Sequence, residues 1–124
     1  FPAATVTAVD NDPEAAETTR ENAQANQLVQ RVEVRTAGVE AAPAGEGELI
    51  FANIRPAVLI PNAAEIVACA APGADLLLSG ILDDEGDAVA APYLARGLLL
   101  AQRRERDGWV LLHLRAPGSP VDPA

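Results

Sequence analysis

The chain of 124 residues contains no methionine, and its first residue is Phe1. With no ordinary initiator present, the expectation is a start that was processed away or a piece of something longer. The single cysteine, Cys69, cannot form an internal disulfide and has no neighbouring Cys or His at metal-ligand spacing, so it is expected to fill core space. No uninterrupted apolar run reaches about 18 residues, the length a membrane-crossing helix needs. The amino end also lacks the basic-then-apolar plan of a secretory signal. Together these absences suggest a soluble, cytoplasmic protein. Basic charge is scarce too, with 9 Lys and Arg against 18 Asp and Glu and a net charge of −9. Nothing resembling a basic stripe is available to replace phosphate counterions, which disfavours a nucleic-acid binder. The acidity would suit a basic protein substrate, and it serves solubility equally well. No internal repeat and no metal site are expected.

What is present begins with TVTAVDNDPEAAETTRENAQAN, Thr5 to Asn26. Thr5 to Val9 are small or β-branched residues suited to a buried strand, and Asp10 closes that strand with a carboxylate. Asp12 can cap the helix that follows, Pro13 at its first position gives up no needed donor, and Glu14 complements the positive helix end. Ala15, Ala16, Thr19 and Ala23 give that helix a small inward face. In a parallel α/β sheet, ligands bind at the carboxyl ends of strands, where an acid such as Asp10 can accept both hydroxyl protons of a ribose. The same Asp is also what a plain turn favours.

Strands and helices then alternate. Arg31 to Arg35 alternates in the manner of a strand, and Thr36, Ala37 and Gly38 leave the sheet on the ligand side. Residues 41–47 form a Pro/Gly-containing loop. Leu49 to Ala52 is a continuous apolar run that suits a buried parallel strand, which places Asn53 at the same sheet edge as Asp10. Arg55 to about Ala71 is expected to be helical with a bend or restart at Pro61, and to stop at Pro72 and Gly73. Asp75 to Ser79 is the next buried strand, after which Gly80, Ile81 and Leu82 pass over the same edge. Asp83, Asp84, Glu85 and Asp87 occupy the first turns of a helix running to about Arg96, where negative charge complements the dipole. Leu98 to Arg104 and Trp109 to Arg115 are strands joined through Asp107 and Gly108, whose readiness for positive φ predicts a tight hairpin. Trp109 and His113 fall on one face of the last strand, opposite Val110, Leu112 and Leu114. The domain is expected over residues 1–115, with a flexible Pro-rich tail over 116–124.

The fold class expected is therefore α/β, a mostly parallel Rossmann-like sheet that ends in an antiparallel hairpin. That arrangement resembles the class I S-adenosylmethionine-dependent methyltransferases. The stretches VDNDPEAAETTRENAQAN, LIFANI, PGADLLLSGIL and RRERDGWVLLHLR resemble, in order and spacing, the carboxyl-terminal catalytic domain of the ribosomal-protein methyltransferases called PrmA. The resemblance implies S-adenosyl-L-methionine as cofactor and amino groups of the large-subunit ribosomal protein eleven as substrate. It implies that Asp10 holds the cofactor ribose, with Asn11 beside it, and that Thr36, Ala37 and Gly38 lie near the adenine. Asn53 and Ile54 match the motif that orients the attacking nitrogen, Asn53 also lying against the cofactor, while Gly80, Ile81 and Leu82 match a loop bordering the substrate entrance. Capping of the following helix is the ordinary alternative for Asn53.

Two residues depart from the family pattern: Arg55, where a small or aliphatic residue is usual, and Ala74 in place of the second Gly of a Pro-Gly-Gly turn. The family's first strand, its glycine-rich loop and its amino-terminal substrate domain are expected upstream of Phe1. That strand would lie between the strands of Thr5 to Val9 and Leu49 to Ala52, so this chain alone is expected to bind cofactor poorly. A nicotinamide dehydrogenase would use Asp10 equally well, but the hairpin and Asn53-Ile54 argue against it. A non-catalytic methyltransferase-like contact module that adds a strand from another chain is the other alternative.

Overall fold

The computed structural model describes residues 6–38 and 42–118. The expected residues Thr5 and Ala41, the first four residues and residues 119–124 of the tail lie outside that range. Contacts divide the chain into two units, Phe1–Pro43 and Ala44–Ala124.

In the first unit, β1 (Val6–Asp10) is followed by α1 (Pro13–Ala25) and β2 (Val32–Thr36), and β2 pairs with β1 in parallel. Asp12 is the N-cap of α1 and accepts a 3.0 Å hydrogen bond from the Glu14 amide, with Pro13 at the first helical position. Two of the four small residues expected to face inward, Ala16 and Ala23, are buried, and Ala15 and Thr19 are half-buried. Such short side chains let the helix backbone lie close on the two strands.

The second unit contains β3 (Gly47–Asn53), α2 (Pro56–Leu59), α3 (Ala63–Ala68) and β4 (Ala70–Leu82). A short 3-10 turn (Asp83–Glu85), α4 (Gly86–Leu94), β5 (Leu99–Arg106) and β6 (Trp109–Arg115) complete it. Its sheet has the order β3-β4-β6-β5, with β3 and β4 parallel and β6 antiparallel to both of its neighbours. The turn from β5 to β6 is made by Asp107 (φ 54°) and Gly108 (φ 82°), both left-handed as the hairpin requires. Leu76, Leu78, Leu112 and Leu114 are fully buried on one sheet face, as are Leu59, Val89 and Tyr93 among the helices. The Tyr93 hydroxyl donates to the Leu59 carbonyl at 2.8 Å, which removes its desolvation cost and ties α4 to α2. Burial pushes the Tyr93 hydroxyl far above the usual tyrosine range. The opposite sheet face leaves Leu49 55% and Phe51 64% exposed.

Several boundaries differ from expectation. The helix expected up to Ala71 breaks after Leu59 and ends at Ala68, and β4 starts at Ala70, ahead of Pro72 and Gly73. The reason is backbone pairing from two sides. Gly45 and Gly47 donate their amides to the Ala68 and Cys69 carbonyls, while Gly73 donates to Pro117 and Ala116 donates to Ala74. These bonds draw the Pro72-Gly73 stretch into the sheet, with Gly73 taking φ 76°. They also hold Ala116 and Pro117, two residues of the expected flexible tail, and Ala116 is buried. Cys69 is half-buried rather than central, and its thiol, raised by that burial, donates to the Glu65 carbonyl at 3.2 Å. The helix expected from Asp83 begins as the 3-10 turn, with the Glu85 carboxylate accepting from the Leu82 amide at 2.9 Å.

Among the described residues, β1 pairs with β2 on one edge only and β3 pairs with β4 on one edge only. These are the two strands that the resemblance places beside an absent one. The glycine spacing Gly45-Glu46-Gly47 leads into β3 from a turn, so it is not a loop that follows a strand. No helix among the described residues is long and apolar enough to cross a membrane.

Candidate functional site

Each unit presents its candidate residues at the carboxyl end of its own parallel strands. In the first unit, Asp10 and Thr36 are register partners at the ends of β1 and β2, and the Ala37 amide donates to the Asp10 carbonyl at 3.0 Å. One carboxylate oxygen of Asp10, Oδ1, accepts from the Asp12 amide at 2.9 Å. This bond fixes the carboxylate while its other oxygen keeps no partner among the described residues. Asn11 is exposed and Gly38 half-buried, so Asp10, Asn11, Thr36, Ala37 and Gly38 form one continuous edge. Arg20 belongs to this edge without a sequence motif to mark it. Its guanidinium donates to the Thr36 hydroxyl at 3.2 Å and to the Val34 carbonyl at 3.4 Å, holding the end of β2 against α1.

In the second unit, Asn53 ends β3 opposite Ser79 of β4. Its carboxamide is exposed and makes no hydrogen bond among the described residues. The N-cap of α2 is Arg55, with no side-chain capping bond, so Asn53 is not engaged as a helix cap. Gly80 is bare next to it. A β-carbon at Gly80 would stand 2.7 Å from Asn53 Oδ1 and 3.4 Å from the Ile54 carbonyl, and Gly80 also has φ 79°. The positive φ favours glycine at this position, and a β-carbon there would push the Asn53 carboxamide aside.

Asn53, Ser79 and Gly80 line an open cleft of about 630 Å³ together with Arg104, Arg106, Trp109, Val110 and Leu111. The residues from the hairpin did not enter the sequence-derived site. Strand parity was the available signal, because Arg104, Arg106, Trp109 and Leu111 share the face that Asn53 and Ser79 occupy. Of the loop residues assigned to substrate, Leu82 is 43% exposed opposite Trp109, whereas Ile81 is fully buried. Ile81 thus contributes to the core, and its side chain has no surface to offer a ligand. Asp75 of β4 and His113 and Arg115 near the end of β6 form a separate cluster away from the cleft. The His113 and Arg115 side chains beside Asp75, at 2.8 and 3.2 Å, hold its carboxyl below the usual aspartate range.

Comparison with known proteins adds to this geometry. Residues 1–117 match the family model described as ribosomal protein L11 methyltransferase (PrmA). The chain belongs to that family. It is 43% identical over 106 residues to the ribosomal protein L11 methyltransferase of Bordetella parapertussis, covering 86% of this chain and 33% of that protein. The Brucella suis protein of the same name is 38% identical over 114 residues, covering 89% of this chain and 40% of its own length. The chain thus spans about a third of the length of the curated relatives it matches.

Among solved structures, a ribosomal protein L11 methylase from Lactobacillus delbrueckii subsp. bulgaricus superimposes with a TM-score of 0.80 at 18% identity. That match covers 91% of this chain and 58% of the other. An RNA methyltransferase from Salinibacter ruber in complex with S-adenosyl-L-homocysteine gives 0.68 at 17% identity, covering 95% and 70%. The fold is accordingly the Rossmann-like methyltransferase α/β fold.

Proposed function

We propose that the whole protein is an S-adenosyl-L-methionine-dependent methyltransferase acting on amino groups of ribosomal protein L11 in the cytoplasm. In this reading the present chain carries the ribose-holding acid and the residues that orient the amine. Family membership supports the reaction class. The observation that carries it is the unpartnered Asn53 carboxamide at a strand end, with a bare Gly80 beside it.

The residues present fit the cofactor. Asp10, fixed through Oδ1 and free on its other oxygen, would hold a ribose, with Asn11, Thr36, Ala37 and Gly38 along the same edge. When bound, the cofactor supplies a methyl group already activated on a sulfonium. The chain's own residues then have a limited task. Asn53 Oδ1 can accept an N–H of the incoming amine and so aim its lone pair, with the Ile54 backbone next to it, and alignment of this kind is worth on the order of 7 to 11 kcal/mol. The positive charges of Arg104 and Arg106 in the same cleft disfavour a charged ammonium and favour the neutral amine that reacts. No dedicated base is needed. Gly80 lines the cleft from β4, and Leu82 follows it as the register partner of Trp109.

The test is calorimetric titration of S-adenosylhomocysteine into this chain and into the full-length gene product. Binding by the full-length protein that weakens in Asp10→Ala supports the reading, and weaker binding by the present chain is expected. The single-edged pairing of β1 and β3 favours one competing reading, a non-catalytic module that completes its sheets with a strand from another chain. Absence of binding by the full-length protein would put that module in front.

A further inference from the structure

The cleft beside Asn53 carries positive charge that the fold does not use. Arg104 and Arg106 project from the same face of β5 and both line the cleft. The Arg104 side chain has no ion-pair or hydrogen-bond partner among the described residues. Arg106 reaches only Asp107, at 3.9 Å, and both side chains of that pair are about nine-tenths exposed. A pair so long and so hydrated contributes little. Arg31, Arg55 and Arg96 also lack a carboxylate partner among the described residues, and what sets Arg104 and Arg106 apart is that both line the cleft.

The neighbouring Arg103 shows the contrast. It points to the other side of β5, where it meets Asp87 at 3.2 Å, Glu105 at 3.1 Å and the Asp83 carbonyl at 2.9 Å. Beside Arg104 and Arg106 stands Trp109, 54% exposed, and Leu111 continues the apolar wall. The cleft therefore offers guanidinium forks, an indole face and the amine-orienting Asn53 on one surface. Guanidinium groups bind carboxylates through paired N–H donors.

We propose that Arg104 and Arg106 form a substrate subsite for a carboxylate, an acidic side chain of the protein substrate that lies close to the amino group to be methylated. Trp109 supports the aliphatic part of that segment. This proposal rests on the methyltransferase reading of the same cleft and adds to it a charge rule for the substrate. The acidic residue docks on the hairpin, and the amine that accompanies it is thereby directed to Asn53. Phosphate groups would meet the same guanidinium pair, so a nucleic-acid contact is the outcome that would compete.

The experiment uses the full-length gene product, with methyl transfer to ribosomal protein L11 and to amine-bearing peptides in which the flanking residue is Glu, Gln or Lys. Arg104→Glu with Arg106→Glu is expected to raise KM for the Glu-flanked peptide at least about tenfold, leaving S-adenosylhomocysteine affinity within about twofold in calorimetry. The same variant is expected to reverse the preference and favour the Lys-flanked peptide. Fluorescence anisotropy of labelled peptides supplies the binding readout apart from turnover. An unchanged KM and an unchanged order of peptides, with S-adenosylhomocysteine still bound, would overturn the subsite alone. If the charge-reversed variant instead loses affinity only for a short RNA, the carboxylate assignment is overturned in favour of phosphate. Failure of the unmodified protein to bind S-adenosylhomocysteine would overturn the methyltransferase reading and this subsite with it.

Discussion

The two units are built from the same alternation of strand and helix, yet only one of them has a core of large side chains. Among the described residues of Phe1–Pro43 only Ala16 and Ala23 are buried, and Val6 on β1 is 50% exposed. Within Ala44–Ala124 the buried set includes Leu59, Ile66, Leu76, Leu78, Ile81, Val89, Tyr93, Leu112 and Leu114. A large apolar side chain contributes about 1.5 to 3 kcal/mol when fully buried, and an alanine much less. A two-stranded parallel ribbon under an alanine-faced helix thus holds its geometry mainly through backbone bonds and caps. The four-stranded sheet has helices over one face and a continuous apolar layer. Regular secondary structure and stability are therefore separable here, and the edge that carries Asp10 lies on the less stabilised of the two units.

Hydrogen exchange tests this contrast most directly. Amides of Leu76, Leu78, Leu112 and Leu114 are expected to exchange at least about a hundredfold more slowly than those of β1 and β2, because local opening free energy follows buried contacts. Equal protection in the two units would break the comparison. Next in size, Leu78→Ala should cost about 2 to 5 kcal/mol in denaturant unfolding. Its counterpart Ala16→Gly in α1 should cost only about 1 kcal/mol. Tyr93→Phe leaves the Leu59 carbonyl buried without its 2.8 Å donor and should cost about 1 to 3 kcal/mol, read as a lower denaturant midpoint at constant slope.

In the first unit, where packing offers less, removal of a cap should matter in proportion. Asp12→Ala is expected to lose about 1 kcal/mol by leaving the Glu14 amide uncapped, while Asp10 Oδ1 keeps its bond to the backbone amide of residue 12. A helix α1 with unchanged exchange rates in that variant would count against the cap.

The smallest effect concerns pH. Asp75 has its folded pKa depressed by His113 and Arg115, so it contributes stability above its unfolded pKa, which is about 4. That contribution disappears as pH falls through the lower folded value. Asp75→Asn should therefore flatten the acid limb of the stability curve below about pH 4. An acid limb identical to that of the unmodified chain would remove Asp75 from the account.

Much of this was legible in the residues themselves. Asp12-Pro13 marked the start of α1, Asp107-Gly108 marked the hairpin, and the alternation in β6 placed Trp109 and His113 opposite Val110, Leu112 and Leu114. Local chemistry determines such features within a few residues of chain. The early start of β4 was not legible, because Pro72-Gly73 has the chemistry of a helix stop and the bonds that extend the strand come from Gly47, Ala116 and Pro117. Ile81 was drawn into the site on the strength of its neighbours Gly80 and Leu82. Its burial follows from a register shift between Leu78 and Ile81 in the pairing with β6, which no local pattern announces.

The sequence by itself determined the order of elements, the family, and the acid and amide that end β1 and β3, since these depend on residue type and spacing along the chain. Tertiary structure alone decided that the Asn53 carboxamide has no partner among the described residues, that Gly80 stands beside it, and that Arg104, Arg106 and Trp109 share its cleft. Those facts rest on residues more than 25 positions apart being set side by side by strand pairing, and registers between distant strands are fixed by the packing of the whole sheet.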